Sequence, residues 1–207
     1  MDLEQRISLI LKLGFDEKSL PALRSYIDLL WKSNEELNLI SRKMNFSDLI
    51  DNHVIDSLLP LPQFPSELRK VADFGSGGGL PGVIFALQFP RVEFHLFEKS
   101  PKKQDFLKKC QEMAPNIQIH SEIPANFSGY DLVTARAFKP IDVTLELSRK
   151  YFNSGGKYFL LKGRREKIEE EIQLAQKKFK SLENHQLKIV PLLSPILDVQ
   201  RHLVLIN

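Results

Sequence analysis

The run VADFGSGGGLPGVIFAL, Val71 to Leu87, sets five glycines between two apolar segments. Glycine lacks a Cβ and reaches positive φ freely, so glycines concentrate where backbone turns tightly or lies against a ligand. Asp73, Gly75, Gly77 and Gly79 form an acid-x-Gly-x-Gly-x-Gly frame closing the strand KVADFG. Pro81 suits the first turn of a helix over PGVIFALQF, whose free amides point back at the loop. The next strand, VEFHLFE, ends in Glu98, nineteen positions after Gly79. A carboxylate there is placed to accept from both hydroxyls of a ribose.

Strand and helix alternate from Lys70 onward. After VEFHLFE come the helix PKKQDFLKKCQEM, a short strand NIQIHS, the strand YDLVTAR and the helix PIDVTLELSRKYF. The strand GGKYFLLKG and the charged helix REKIEEEIQLAQKKFKSLE follow. This order predicts an α/β fold with a mostly parallel, twisted sheet and helices on both faces. HQLKIVPLL and RHLVLIN have no helix between them, so they are expected to pair as an antiparallel hairpin at one sheet edge. Residues 1–61 read as helical. Gly14 stops the first helix, Pro21 opens the second, and Ser47 is the expected N-cap of the third. Pro60, Pro62 and Pro65 then mark a boundary between a helical extension, 1–67, and the core, 68–207.

Two ligand classes use a glycine loop of this kind. A dinucleotide brings a pyrophosphate; S-adenosylmethionine brings a sulfonium and an amino-acid tail. Asp73 favours the cationic ligand and repels the anionic one, and the C-terminal hairpin suits a methyltransferase sheet better than a dehydrogenase one. A small-molecule methyltransferase, a nucleotide-binding dehydrogenase and a non-catalytic RNA-binding module all stay open at this point. The formal net charge of +3 permits a polyanionic partner without demanding one. The single cysteine, Cys110, excludes an internal disulfide framework and fits a reducing compartment. The N-terminus MDLEQRISLI does not read as a secretory signal, and no apolar run has a membrane-spanning length, so a cytoplasmic protein is expected, a monomer by default. No Cys/His cluster has zinc spacing.

Several segments together resemble the RsmG (GidB) family: NLISRKMNFSDLIDNHVIDSLLPLP, DFGSGGGLPGV, VTARAFKP, LLKG and the terminal RHLVLIN. They run in order from Asn38 to Asn207. The resemblance implies a class I (Rossmann-like) methyltransferase acting on guanine N7 of bacterial 16S ribosomal RNA, with S-adenosyl-L-methionine as cofactor and the RNA or the small subunit as partner. By the same resemblance Gly75, Gly77 and Leu80 line the cofactor pocket, and Glu98 stands where the family usually has Asp on the ribose. The adenine contact, ordinarily an apolar-acidic pair, falls without gaps on Pro124 and Ala125, with Glu122 nearby. Arg136 matches an arginine near the methionine tail. His53 and Asp56 would shape the mouth of the site. Lys162, Arg164 and Arg165 would meet substrate phosphate, and Arg201 and His202 match the family's terminal pair. Lys162 and Arg201 join His53 and Asp56 as candidates for positioning the acceptor. Glu169 to Glu171 read as solvated surface.

Guanine N7 carries a lone pair and no proton, so in-line methyl transfer needs alignment and no general base. The absence of an Asp/Asn-Pro-Pro-aromatic stretch and of a loop cysteine disfavours exocyclic-amine and pyrimidine-C5 chemistry.

Overall fold

A computed structural model describes residues 1–41 and 43–207. Its centre is a seven-stranded sheet in the order β3-β2-β1-β4-β5-β7-β6. The strands are β1 (Lys70–Phe74), β2 (Glu93–Phe97), β3 (Ile117–His120), β4 (Leu132–Arg136), β5 (Tyr158–Lys162), β6 (Leu187–Leu192) and β7 (Arg201–Ile206). The first five run parallel; β7 lies antiparallel to both β5 and β6, which leaves β6 at the edge. In β1, β4 and β5 four of the five residues are buried without alternation, as strands covered on both faces require.

The chain builds β1, β2 and β3 outward in one direction, then returns to lay β4 on the other side of β1. Asp131 fixes that return: its Oδ2 accepts from the backbone N–H groups of Arg69 (2.7 Å) and Lys70 (2.8 Å). Between the carboxyl ends of β1 and β4 the following loops diverge, and open α/β sheets bind ligands in that crevice.

One face of the sheet carries the N-terminal helices, packed with α5 (Gly82–Gln88) and α6 (Pro101–Cys110). α1 (Leu3–Lys12) starts on Asp2, whose side chain caps Gln5, and α2 (Leu20–Leu37) has Pro21 in its first turn. Leu23, Ile27 and Leu30 of α2 join Val83, Phe85, Leu96 and Phe106 in one cluster. The arrested end of α2 is Asn38, in the left-handed region at φ 50°. Arg6 of α1 is buried, its guanidinium in two hydrogen bonds with the Asp51 carboxylate at 2.7 and 2.6 Å.

The expected cap at Ser47 is displaced. α3 (Phe46–Leu49) starts on Asn45, whose side chain accepts from Asp48 N–H at 2.9 Å while Asp48 Oδ2 accepts from Asn45 N–H at 3.1 Å. A π-helical turn over Ile50–Ile55 then leads into α4 (Asp56–Leu58). Such widened turns recur at functional sites.

The second face is covered by α7 (Ile141–Leu147), α8 (Arg149–Asn153) and α9 (Arg165–Lys178). The helix expected over PIDVTLELSRKYF is broken between α7 and α8 at Ser148, which leaves helical geometry at φ −122°. Its hydroxyl donates to Thr144 O and meets the buried Tyr158 hydroxyl at 2.8 Å, so the break satisfies a phenol inside the core. α9 ends at Lys178, short of its expected length, and Lys180–Asn184 form a 3-10 turn.

On this face β2 and β3 carry a histidine pair: His95 Nδ1 and His120 Nε2 lie 2.8 Å apart, with Tyr130 Oη 3.2 Å from His95. Burial, with Lys70 and His120 nearby, depresses His95 from 6.5 to about 4 despite the neighbouring Glu93 carboxylate. His53 is lowered to about 4 as well, and His120 in the same direction. A depressed folded pKa gives stability that is complete above the unfolded value and lost as pH falls toward the folded one. The buried Asp73 carboxyl, raised to about 7, acts in the opposite sense, but three histidines outweigh it, so urea unfolding should show a net decline in stability below about pH 6.5, before ordinary carboxylates titrate. His95→Gln should flatten that decline.

Candidate active site

Two cavities open at the carboxyl ends of the strands, divided by the loop between β4 and α7. The first, about 540 Å³, is lined by Gly75, Phe97, Glu98, Glu122, Ile123, Val143 and Leu147, among others. The second, about 550 Å³, takes its polar wall from His53, Asp56, Arg136, Lys162, Glu171 and Arg201. Ala137, Phe138 and Lys139 line both. Each volume is within the range of small-ligand sites.

The glycine loop shapes the first cavity by what it omits. Gly75 sits at φ +69°, and a Cβ there would stand 2.3 Å from the Phe138 ring. Gly82 lies over Asp73, whose Oδ2 would be 2.6 Å from an added Cβ. Asp73 is fully buried, and neither carboxylate oxygen has a hydrogen-bond partner among the described residues. Burial raises its pKa to about 7; the Ser76 hydroxyl, Arg136 and the Gly82 amide pull it back only in part. Glu98 accepts from Gly77 N–H (2.9 Å) with Oε2 and from Ser100 N–H (2.8 Å) with Oε1. Each oxygen keeps a lone pair for a further donor.

In the second cavity one carboxylate holds two guanidinium groups. Asp56 Oδ2 accepts from Arg136 Nη1 at 2.8 Å, and Oδ1 accepts from Arg201 Nε at 2.6 Å. The π turn brings His53 to the same cluster, where Arg136 Nη2 donates to His53 Nδ1 at 2.6 Å. Burial first, then the charges of Arg136 and Arg201, lower the His53 pKa to about 4. The ring is neutral at pH 7, and with Nδ1 accepting, the proton resides on Nε2, which faces Met44 Sδ at 3.2 Å. Lys162 Nζ donates to Glu171 Oε2 (2.8 Å) and to Lys139 O (2.9 Å), and the same Glu171 oxygen accepts from Ile141 N–H at 3.0 Å. His202 Nδ1 lies 2.7 Å from Gly163 O. Arg136, Lys139, Lys162 and Arg201 set four cations against the two carboxylates Asp56 and Glu171 among the described lining residues, which favours an anionic ligand.

Several sequence expectations fall elsewhere. Leu80 is buried in the apolar cluster under α5 and does not line the first cavity, whereas Gly77 reaches it through its amide on Glu98. Pro124 and Ala125 also lie outside it. The strand β3 stops at His120, so Ser121, Glu122 and Ile123 occupy the rim, and the turn closed by Phe127 N–H on Pro124 O carries the next residues away. Ala125 instead adjoins Arg149, Lys150 and Asn153. The Arg136 guanidinium projects into the second cavity, not the first. Arg164 and Arg165 are exposed beside the second cavity, and Arg165 pairs with Glu169 at 2.8 Å. Glu171 is a correction: it is buried, not surface, because it neutralises Lys162. Phe138, Lys139 and Asn52 are additions to the site. Ala137, at φ 50° without being glycine, marks their loop as held in an uncommon conformation.

Comparison with known proteins establishes the family and the fold. Residues 19–204 match the family model for GidB, described as rRNA small subunit methyltransferase G. The chain is 63% identical over 203 residues to ribosomal RNA small subunit methyltransferase G 1 of Bdellovibrio bacteriovorus, covering 98% of each. It is 33% identical to ribosomal RNA small subunit methyltransferase G of Borrelia garinii subsp. bavariensis, covering 93% of this chain and 92% of that one. In fold it is similar to a precorrin-6y C5,15-methyltransferase from Geobacter metallireducens, with a TM-score of 0.56 at 8% identity over 73% of this chain and 86% of the other. A SAM dependent methyltransferase from Aquifex aeolicus gives a TM-score of 0.55 at 11% identity, over 77% and 92%. A class I methyltransferase sheet, the glycine loop on β1 and a match that spans nearly the whole chain lead to one assignment: this chain belongs to the GidB family, the rRNA small subunit methyltransferases G.

Proposed function

We propose that the chain methylates N7 of one guanine in bacterial 16S ribosomal RNA, using S-adenosyl-L-methionine. The observation that supports this most is the shared wall. Ala137, Phe138 and Lys139 separate a cavity suited to a nucleoside from one suited to an anionic acceptor. The first cavity fits the cofactor by its own chemistry: a carboxylate with lone pairs to spare at Glu98, the acid Asp73 behind the loop, and a Phe138 wall that packs on Gly75 because no Cβ stands there. When bound, the cofactor supplies an electrophilic methyl group on a sulfonium.

The remaining work belongs to the chain. Glu98 accepts from the ribose, Glu122 and Ile123 flank the adenine in place of Pro124 and Ala125, and Gly75 lets the Phe138 ring close the wall between the two cavities. Arg136 is assigned to the acceptor side, with Asp56 and His53 fixing its plane. Arg201, Lys139, Arg164 and Arg165 meet RNA phosphates, a sequence-independent attraction that falls with salt. Lys162 and His202 shape the floor through Glu171 and Gly163. No side chain needs to remove a proton, and His53, the best-placed imidazole, has both ring nitrogens engaged. Alignment of nucleophile and methyl group does the rest. Residues 1–67 act as an extension and 68–207 as the catalytic core. The reading extends to a monomer working in the cytoplasm; no helix among the described residues is long and apolar enough to cross a membrane.

The test is methyl transfer from labelled cofactor to small ribosomal subunits, to naked 16S RNA and to small acceptors, followed by strand cleavage at 7-methylguanosine. One new cleavage site in the RNA is expected. At saturating cofactor the rate should be flat from about pH 6.5 to about pH 8.5, since no general base titrates, while the ionisation of Asp73 near about pH 7 is expected to appear only in the KM for the cofactor. Label confined to small acceptors, or found on another ring atom, would overturn the reading.

A further inference from the structure

Tyr26 lies in the middle of α2, in the N-terminal extension, and is completely buried. Its hydroxyl donates to the carbonyl of Gly78 at 2.6 Å. Gly78 is the central residue of the glycine loop, flanked by Gly77, whose amide holds Glu98, and by Gly79, at φ +87°. The contact is close on every side: a Cβ on Gly78 would meet Leu30 of α2 at 3.1 Å and Leu39 at 3.5 Å. The loop therefore rests directly on α2, with one polar tie in an apolar seat. Burial holds the phenol pKa well above its ordinary value, so the hydroxyl keeps its proton and remains a donor.

We infer that Tyr26 is a positioning residue for the cofactor: by fixing the Gly78 carbonyl it orients the peptide that joins Gly78 to Gly79, whose N–H closes the turn on Ser76 O, and through that turn the loop that presents Gly77 N–H to Glu98. The N-terminal extension thus sets cofactor affinity although none of its described side chains lines the cavity beside Glu98. This inference rests on the reading of that cavity as the S-adenosylmethionine site.

Removing the hydroxyl leaves the buried Gly78 carbonyl without its donor, which costs a loop far more than an exposed position would. Tyr26→Phe is expected to weaken S-adenosylhomocysteine binding by about 5- to 10-fold in calorimetry, in keeping with one buried neutral hydrogen bond. It should raise KM for the cofactor by the same factor, while turnover at saturating cofactor and KM for RNA stay within about twofold. Tyr151→Phe is the control. That phenol is also buried and tied to backbone, at Lys157, away from both cavities, so it should lower the melting temperature without changing cofactor affinity. Equal cofactor affinity in wild type and Tyr26→Phe would overturn the inference. Failure of the wild type to bind the cofactor at all would instead overturn the reading of the site. A second measurement serves if Tyr26→Phe does not fold: amide exchange of the wild type with and without S-adenosylhomocysteine. Slowed exchange should spread from Gly77–Leu80 into the turn of α2 around Tyr26. Protection confined to the loop would count against the tie.

Discussion

Replacing Asp56 with alanine is expected to destabilise the protein by about 3 kcal/mol and to abolish RNA methylation while leaving cofactor affinity within about twofold. The carboxylate is buried at 6% exposure and holds Arg136 and Arg201 together. Arg136 is itself nearly enclosed, so the mutation strands a charge whose remaining partners, Asn52 O at 3.3 Å and the neutral His53 ring, cannot neutralise it. Removing one member of a buried ion pair costs more than the pair contributes, because the survivor stays desolvated. Arg201 is more exposed, at 30%, and can turn to water, so Arg201→Met should cost less than about 1 kcal/mol of stability yet weaken RNA binding. Urea unfolding separates the two stabilities. Calorimetry with S-adenosylhomocysteine supplies the contrast, since Asp56 lines only the second cavity. A loss of cofactor affinity in Asp56→Ala comparable to its loss of RNA methylation would merge the two cavities into one functional unit and contradict their separate roles.

The architecture was legible because its strands and glycines obey local rules. Strands β1, β4 and β5 are rich in apolar residues without a period-two alternation, as a doubly covered sheet requires, and the glycine spacing marks where the sheet opens. The details that escaped depend on tertiary partners. Ser47 reads as well as Asn45 for a cap; the reciprocal bond with Asp48 selects Asn45. The widened turn from Ile50 to Ile55 has no composition of its own. Ser148 breaks a helix that its neighbours would continue, because the Tyr158 hydroxyl needs a partner. An ungapped match puts the adenine contact on Pro124 and Ala125, but two residues of displacement along a loop move a side chain out of a cavity, and Glu122 and Ile123 line it instead. Glu171 was within reach. It shares a helical stripe with Ile168 and Ala175, both buried, and that phase outweighs membership of an acidic run.

Glu98→Ala should weaken S-adenosylhomocysteine binding by about 100-fold, the largest effect on the cofactor side. The carboxylate does two things that the mutation ends together. On the proposed function it offers lone pairs to the ribose, and it restrains the glycine loop by accepting from Gly77 N–H at 2.9 Å and Ser100 N–H at 2.8 Å. Hydrogen bonds to a charged group contribute about 1.5–3 kcal/mol each, and a loss of about 2.7 kcal/mol corresponds to that factor of 100. Glu98→Gln separates charge from shape. The amide keeps one acceptor oxygen but must turn its NH₂ toward Gly77 N–H or Ser100 N–H, a donor facing a donor, so about a tenfold loss is expected. Glu98→Asp keeps the charge and shortens the arm by one methylene; it cannot span both backbone amides and reach the ribose from the same backbone position. Because Glu98 is only half-buried, the unfolding free energy of all three variants should stay within about 1 kcal/mol of wild type, which makes the affinity change attributable to the site. Calorimetric titration gives the Kd values directly. If Glu98→Ala bound within about twofold of wild type, the ribose would have to be held elsewhere, and the nucleoside-shaped reading of the first cavity would fall.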